Sequence, residues 1–146
     1  MKNLTVKKTV EISSPVSKVW DVLTKPEYIQ QWFYVPAEFP EGDAQLRRGS
    51  RILWRNAGGE VYLEGIVTVF QSEKSLTTSL RDKNWKRPVK TGEVAYTYTL
   101  SPQEDRVILS FTFGDLSVDP EGEEWHKAYQ ENDELQKIKE IAERLE

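Results

Sequence analysis

Two stretches of this chain, 93–100 and 106–113, alternate bulky apolar and polar residues so regularly that a pair of half-buried strands is the fold they admit. Val94, Tyr96, Tyr98 and Leu100 fall on one face of the first, and Val107, Leu109, Phe111 and Phe113 on one face of the second. Between them Ser101-Pro102-Gln103-Glu104-Asp105 has turn chemistry, so a hairpin with an aromatic inner face is predicted. An antiparallel sheet can leave one face in water, but an aromatic face has to be covered.

The rest of the chain supplies more strands and the cover. Leu4, Val6, Val10 and Ile12 share one face of a first strand, with Lys8 as the one charged residue on that face. Ser14-Pro15 reads as a helix cap followed by proline in the first turn, and Val16, Val19, Trp20 and Leu23 give a short helix ending near Thr24. Lys25-Pro26 restarts the pattern for a second short helix carrying Tyr28, Ile29 and Trp32. Residues 35–50 are irregular, with a brief edge strand expected near 44–46. A second hairpin follows from 51–55, the turn 56–59 and a long strand over 60–71, and a further strand over 76–80 leads to a polar loop with Trp85 and Pro88.

Asp119-Pro120 repeats the cap-then-proline signal, and Glu121, Glu123 and Glu124 suit the positive end of a helix dipole. Trp125, Ala128, Tyr129, Leu135, Ile138, Ile141, Ala142 and Leu145 then form an apolar stripe, predicting one unbroken helix to the terminus. With no repeat or linker, residues 1–146 are expected to form a single domain. Its class is α+β: a curved antiparallel sheet with two short helices, wrapped around a long C-terminal helix, with an apolar cavity between.

Charge and composition narrow the function classes. A formal net charge of −4 offers no basic excess to neutralise phosphates, so no nucleic-acid partner is expected. No run of 18 apolar residues spans a membrane, and the lysine-bearing segment 1–8 has no apolar signal-peptide core, so a cytoplasmic protein is expected. The absence of cysteine removes disulfides, thiolate metal sites and cysteine nucleophiles.

Catalytic motifs are equally sparse. The one histidine, His126, lies in a charged turn and is expected at the surface; there is no Gly-x-Ser-x-Gly elbow and no His-Glu-x-x-His helix. Gly58-Gly59 is a hairpin turn, because no Lys-Ser/Thr tail follows it. Arg47, Arg48, Arg51 and Arg55 read as a solvated face, and Glu121, Glu123 and Glu124 as dipole partners, so neither a metal nor a cofactor is expected.

The aromatics are the better lead. Trp54, Tyr96, Tyr98, Phe111, Phe113, Trp125 and Tyr129 fall on predicted inner faces, where they serve either as packed core or as the wall of a ligand cavity. Asn132 lies within the apolar stripe of the last helix, and burying its amide without partners would cost about 1–3 kcal/mol. It is therefore the polar candidate for a ligand, a cavity water or a neighbouring strand.

Strand, two short helices, antiparallel strands and long C-terminal helix is an order that resembles the START-like superfamily (SRPBCC), also called birch-pollen-allergen-like or polyketide-cyclase-like. Ser14-Pro15-Val16, Val19-Trp20-Asp21-Val22-Leu23-Thr24, Trp32-Phe33, Gly49 before a strand and Glu64-Gly65 within the next resemble the subfamily of the activator of heat-shock-protein-90 ATPase. The resemblance implies a helix-grip fold whose cavity takes a small hydrophobic molecule, lipid-like or an aromatic of polyketide or flavonoid type. It leaves two alternatives open: a cyclase-like enzyme acting on such a ligand, and a module that binds a chaperone or other protein partner. The chaperone activator itself adds an N-terminal chaperone-binding domain, for which 146 residues leave no room, so the binding or carriage of a small molecule is the leading expectation.

Overall fold

The computed structural model describes residues 3–145; Met1 and Lys2 of the lysine-bearing segment, and Glu146 at the end of the expected domain span, lie outside the described residues. Six strands form one antiparallel sheet: β1 (Val6–Ile12), β2 (Arg51–Arg55), β3 (Val61–Gln71), β4 (Ser75–Asp82), β5 (Ala95–Pro102) and β6 (Val107–Gly114). Their spatial order is β1-β6-β5-β4-β3-β2, so five strands form a meander and the first closes against the last. Helices α1 (Val16–Thr24) and α2 (Pro26–Trp32) lie between β1 and β2, and α3 (Gly122–Glu131) and α4 (Glu134–Arg144) follow β6.

Register turns the alternating pattern into rows of touching side chains. Tyr96 stands opposite Phe113, Tyr98 opposite Phe111 and Leu100 opposite Leu109. β1 continues these rows, with Val6 opposite Phe113 and Lys8 opposite Phe111, and β4 extends them with Thr78 opposite Tyr96 and Leu76 opposite Tyr98. Such cross-strand pairs are worth roughly 0.2–1 kcal/mol each beyond burial. On the outer face the same strands present threonines, and Thr77 and Thr97 hydrogen-bond through their hydroxyls at 3.0 Å.

The helices cover the inner face. α4 packs on α1, α2 and β1, and buries Leu135, Ile138, Ile141 and Ala142. α1 contributes Val19, Trp20, Val22 and Leu23, and the indole of Trp32 in α2 donates to the Val22 carbonyl at 2.9 Å, which satisfies its buried N–H.

Four expectations are corrected. Ser14 does not cap α1: Pro15 occupies the cap position, and the Ser14 hydroxyl donates instead to the Ala142 carbonyl of α4 at 3.2 Å. No strand forms at 44–46, because Glu38 bridges to Leu53 on the free edge of β2 while the Leu46 N–H is taken by the Thr24 carbonyl. Asp119 does not cap α3, which begins at Gly122 after Glu121; its carboxylate accepts the Glu121 N–H and the Trp85 indole. The long C-terminal helix is present but not continuous, since Asn132 turns to an extended conformation (ψ 171°) between α3 and α4.

The arginines stand on a solvated face as expected: Arg47, Arg51 and Arg55 pair with Asp43, Glu41 and Glu38. Exposed pairs of this kind add little stability.

Gly65 is the tightest point of the sheet. It lies between Ile52 and Leu80, and a Cβ there would come within 2.8 Å of Thr78 Cγ2, 3.2 Å of the Trp54 ring and 3.3 Å of Leu80. The missing side chain is the space into which Trp54 fits. Gly65→Ala is expected to cost about 1–3 kcal/mol by overpacking, lowering Tm by roughly 3–10 °C and altering the near-ultraviolet circular dichroism of Trp54. An unchanged melting curve would show that the sheet yields freely at this point.

Candidate functional site

Between the aromatic face of the sheet and the helical cover lies a cavity. All seven aromatics singled out in the sequence, Trp54, Tyr96, Tyr98, Phe111, Phe113, Trp125 and Tyr129, are in its wall. Six of them form a chain of edge and tilted contacts: the rings of Tyr98 and Phe111 are 5.0 Å apart, Tyr96 and Tyr98 5.8 Å, and Phe113 and Tyr129 4.8 Å, while Trp54 stacks on Phe33. Pairs at these distances add about 0.5–1.5 kcal/mol beyond area burial, so the wall is also a stabilising layer. Half-buried Phe33, Trp85 and Trp125 complete it on the helix and loop side.

The cavity is small. The volume that the centre of a water-sized sphere can occupy is about 70 Å³, room for a few waters but below the roughly 300–1,000 Å³ of common ligand pockets.

Asn132 is not in the wall. It sits at the C-terminus of α3, where its backbone carbonyl and its Oδ1 accept hydrogen bonds from the Lys8 ammonium at 2.8 and 3.1 Å. The same ammonium donates to the Tyr129 carbonyl at 2.9 Å, and Asn132 Oδ1 also accepts the Glu134 N–H at 3.2 Å. Lys8 thus caps the negative end of α3 from the sheet, and Asn132 caps the start of α4. Burial pulls the Lys8 pKa below its ordinary value, against the charges of Glu134 and Asp133 that push it up.

Glu134, not singled out in the sequence, is the most buried carboxyl of the wall. It is 5% exposed, and its Oε2 accepts the Tyr34 backbone N–H at 2.7 Å. Burial pushes its pKa up to about 7, against the Tyr34 hydrogen bond and the charge of Lys8, while Asp133 adds to the rise. A carboxyl in a cleft with so displaced a pKa is a candidate for binding or proton transfer. The signal was in the sequence: Glu134 precedes Ile138 by four residues and Ile141 by seven, so it shares their buried face.

Its neighbours respond to it. Tyr98 and Tyr129 are pushed well above the ordinary phenol range, first by burial and then by the Glu134 charge, and Tyr96 is raised chiefly by burial. A second acidic group in the wall joins Asp82 and Asp119. Burial raises the Asp82 pKa, the Asn84 N–H bond opposes it, and the charge of Asp119 adds to it; Tyr62 beside them is raised by burial and by both carboxylates.

His126 is half-buried, with Nε2 3.2 Å from the Thr5 carbonyl oxygen, and it is not in the wall. Among the described residues no three His, Asp or Glu side chains cluster as metal ligands, and no helix is long and apolar enough to cross a membrane.

A curved antiparallel sheet gripping a C-terminal helical segment over an internal cavity defines a START-like, helix-grip protein. Residues 13–143 match the family described as Activator of Hsp90 ATPase homolog 1-like protein, and the chain belongs to that family. Solved structures share the fold. Protein MLL2253 from Mesorhizobium loti superposes with a TM-score of 0.74 at 21% identity, covering 97% of this chain and 98% of its own. The Aha1 dimer from Colwellia psychrerythraea gives 0.70 at 16% identity, with 96% of each chain covered. DynU16, a protein of the dynemicin biosynthetic locus, gives 0.67 at 15% identity over 98% of this chain and 48% of its own. No protein of curated function matches the chain.

A raised carboxyl pKa has a definite sign in stability. Glu134 binds its proton more tightly folded than unfolded, so its contribution is full below the ordinary Glu value of about 4.3 and is lost as pH rises through about 7. Glu134→Gln, which keeps the shape and the acceptor for Tyr34, is expected to match the parent at pH 5 and to exceed it at pH 8 by about 2–3 kcal/mol. Thermal melts at the two pH values check this, and a stability difference independent of pH would refute it.

Proposed function

We propose that this protein binds a small, largely apolar ligand in the cavity between sheet and helices. The supporting observation is the wall itself: a continuous aromatic surface into which a few buried polar groups, Glu134 and Tyr98 among them, are set. That is the composition by which pockets combine apolar affinity with a few orienting contacts.

The volume restricts the ligand. A molecule about the size of one aromatic ring fits after small side-chain shifts. A lipid or a fused polyketide needs Phe33, Trp85 and Trp125, the half-buried members of the wall, to swing outward. Binding of the larger class would therefore carry a reorganisation cost that the smaller class avoids.

A second reading draws on the same small volume together with the family's description: a protein-interaction module, with a chaperone as partner, whose aromatic interior is core alone.

The two separate in one titration. Isotopically labelled protein is titrated with single-ring aromatics, flavonoids, sterols and fatty acids while amide shifts and tryptophan fluorescence are followed. Saturable shifts on Trp54, Tyr98, Phe111 and Trp125 are expected from the single-ring class, and weaker ones or none from sterols. Shifts from no class, together with recovery of a chaperone in pull-down, would replace the cavity reading by the interaction reading.

A further inference from the structure

The cavity wall has one sign of charge. It holds three tryptophans, four tyrosines, three phenylalanines and three carboxylates, and no lysine, arginine or histidine. Aromatic faces are the negative poles of their quadrupoles and attract cations within about 6 Å. Carboxylates add full negative charge to the same surface, and in a partly dry space each is felt more strongly than in water.

Neither acidic group is neutralised by a cation of the wall. Asp82 and Asp119 are held by the Asn84 and Glu121 backbone N–H groups and by the Trp85 indole; of the two basic residues flanking Asp82, Arg81 is exposed, and Lys83 pairs with Glu60 and acts on Asp82 only as the least of its influences. Glu134 is influenced by Lys8, but the Lys8 ammonium is occupied by the Tyr129 and Asn132 carbonyls and by Asn132 Oδ1. An independent feature points to a ligand with a polar head: the Tyr98 side chain, only 2% exposed, is in the cavity wall, and its hydroxyl has no hydrogen-bond partner among the described residues. The hydroxyl is therefore free to accept a hydrogen bond from a ligand N–H that enters the cavity.

We propose that the cavity selects organic cations, protonated amines carried on a single aromatic or apolar group, with the ammonium directed to the Glu134 carboxylate and the Tyr98 hydroxyl. This rests on the cavity reading above and narrows it to a charge class. A fatty acid or an aromatic carboxylate would bring a fourth negative charge into the wall. A bare metal ion lacks ligands, because no three acidic or imidazole side chains among the described residues converge. An amine on a ring uses both features at once, the ring against Phe111 or Trp54 and the ammonium at the carboxylate.

A pH dependence follows. The groups facing Glu134 are Lys8 from β1, Asp133 and Lys137 from its own end of the helix, Tyr96 and Tyr98 from β5, Tyr129 from α3 and the Tyr34 N–H after α2. Glu134 itself changes charge near neutrality, at about 7. Amine affinity therefore rises with pH through neutrality, until the amine itself loses its proton.

The test is a matched trio on the full chain at pH 8: benzylamine, benzyl alcohol and benzoate, followed by amide shifts and tryptophan fluorescence. Benzylamine is expected to saturate with shifts at Tyr98 and Glu134, at least about tenfold tighter than benzyl alcohol, and benzoate to bind most weakly. Benzylamine affinity should fall about tenfold from pH 8 to pH 5.5, and Glu134→Gln should bring amine and alcohol within about threefold of each other. Tyr98→Phe, which keeps the ring, should lower the same ratio and tests the second contact of the ammonium independently. Benzyl alcohol or benzoate binding as tightly as benzylamine would overturn the charge selection while leaving a cavity ligand in place. An unchanged ratio in both variants would overturn the assigned position of the ammonium. No saturable shift from any of the three would sink this inference, and sterols, flavonoids and fatty acids failing as well would sink the cavity reading with it.

Discussion

Lys8 points inward from a strand whose other inward residues are apolar, and an ammonium left unpaired there would be costly to bury. It is accommodated because α3 ends at the same place. The carbonyls of Tyr129 and Asn132, which a continuing helix would have bonded internally, are turned to the ammonium at 2.9 and 2.8 Å. One interaction therefore joins the first strand to the last helical segment across the sequence, satisfies the negative end of a helix and sets where that helix stops. The position of Glu134 depends on this break. Had the helix run on, residue 134 would begin no helix, and its N–H would not be capped by Asn132 Oδ1.

Much of this architecture was legible because alternation and helical spacing are properties of the chain alone. The hairpin of Tyr96, Tyr98, Phe111 and Phe113 assembles as the pattern predicts, and the aromatics of the expected inner face do meet in one wall. Lys8 stood out as an exception on its strand, but its purpose could not be read, since its partners are 121 and 124 residues away. The helix break was written in Asn132-Asp133, residues that favour caps over helix interiors, yet the apolar stripe on either side runs through them in phase. Periodicity favours a continuous helix and local cap chemistry a break, and the tertiary contact from Lys8 decides for the break.

The same conflict accounts for Asn132 and Glu134. Both lie near the apolar stripe, and an amide looks the easier polar group to bury, because it carries no charge to desolvate. The structure reverses the roles. Asn132 is consumed by capping, with its Nδ2 left without a partner, while the carboxyl is the group that reaches the cavity. A carboxyl can be buried there because it has an exit: by taking a proton near neutrality it sheds most of the desolvation penalty.

Packing and binding then compete for the same surface. The ring contacts that line the cavity stabilise the sheet-helix interface, and each Å³ they fill is lost to a ligand. Gly65 shows the balance: by having no side chain it admits Trp54 into the wall, which brings the ring of Trp54 to 6.1 Å from that of Phe33 and narrows the space between sheet and α2. A wall built this way favours a ligand that replaces the contacts it disrupts. A flat ring does so because it stacks as the side chains do, whereas a flexible chain would have to give up rotational freedom and also displace aromatic pairs. The same backbone would admit a larger guest if the inner face carried smaller side chains, since what sets the volume is the identity of the side chains that line the cavity and not the path of the backbone.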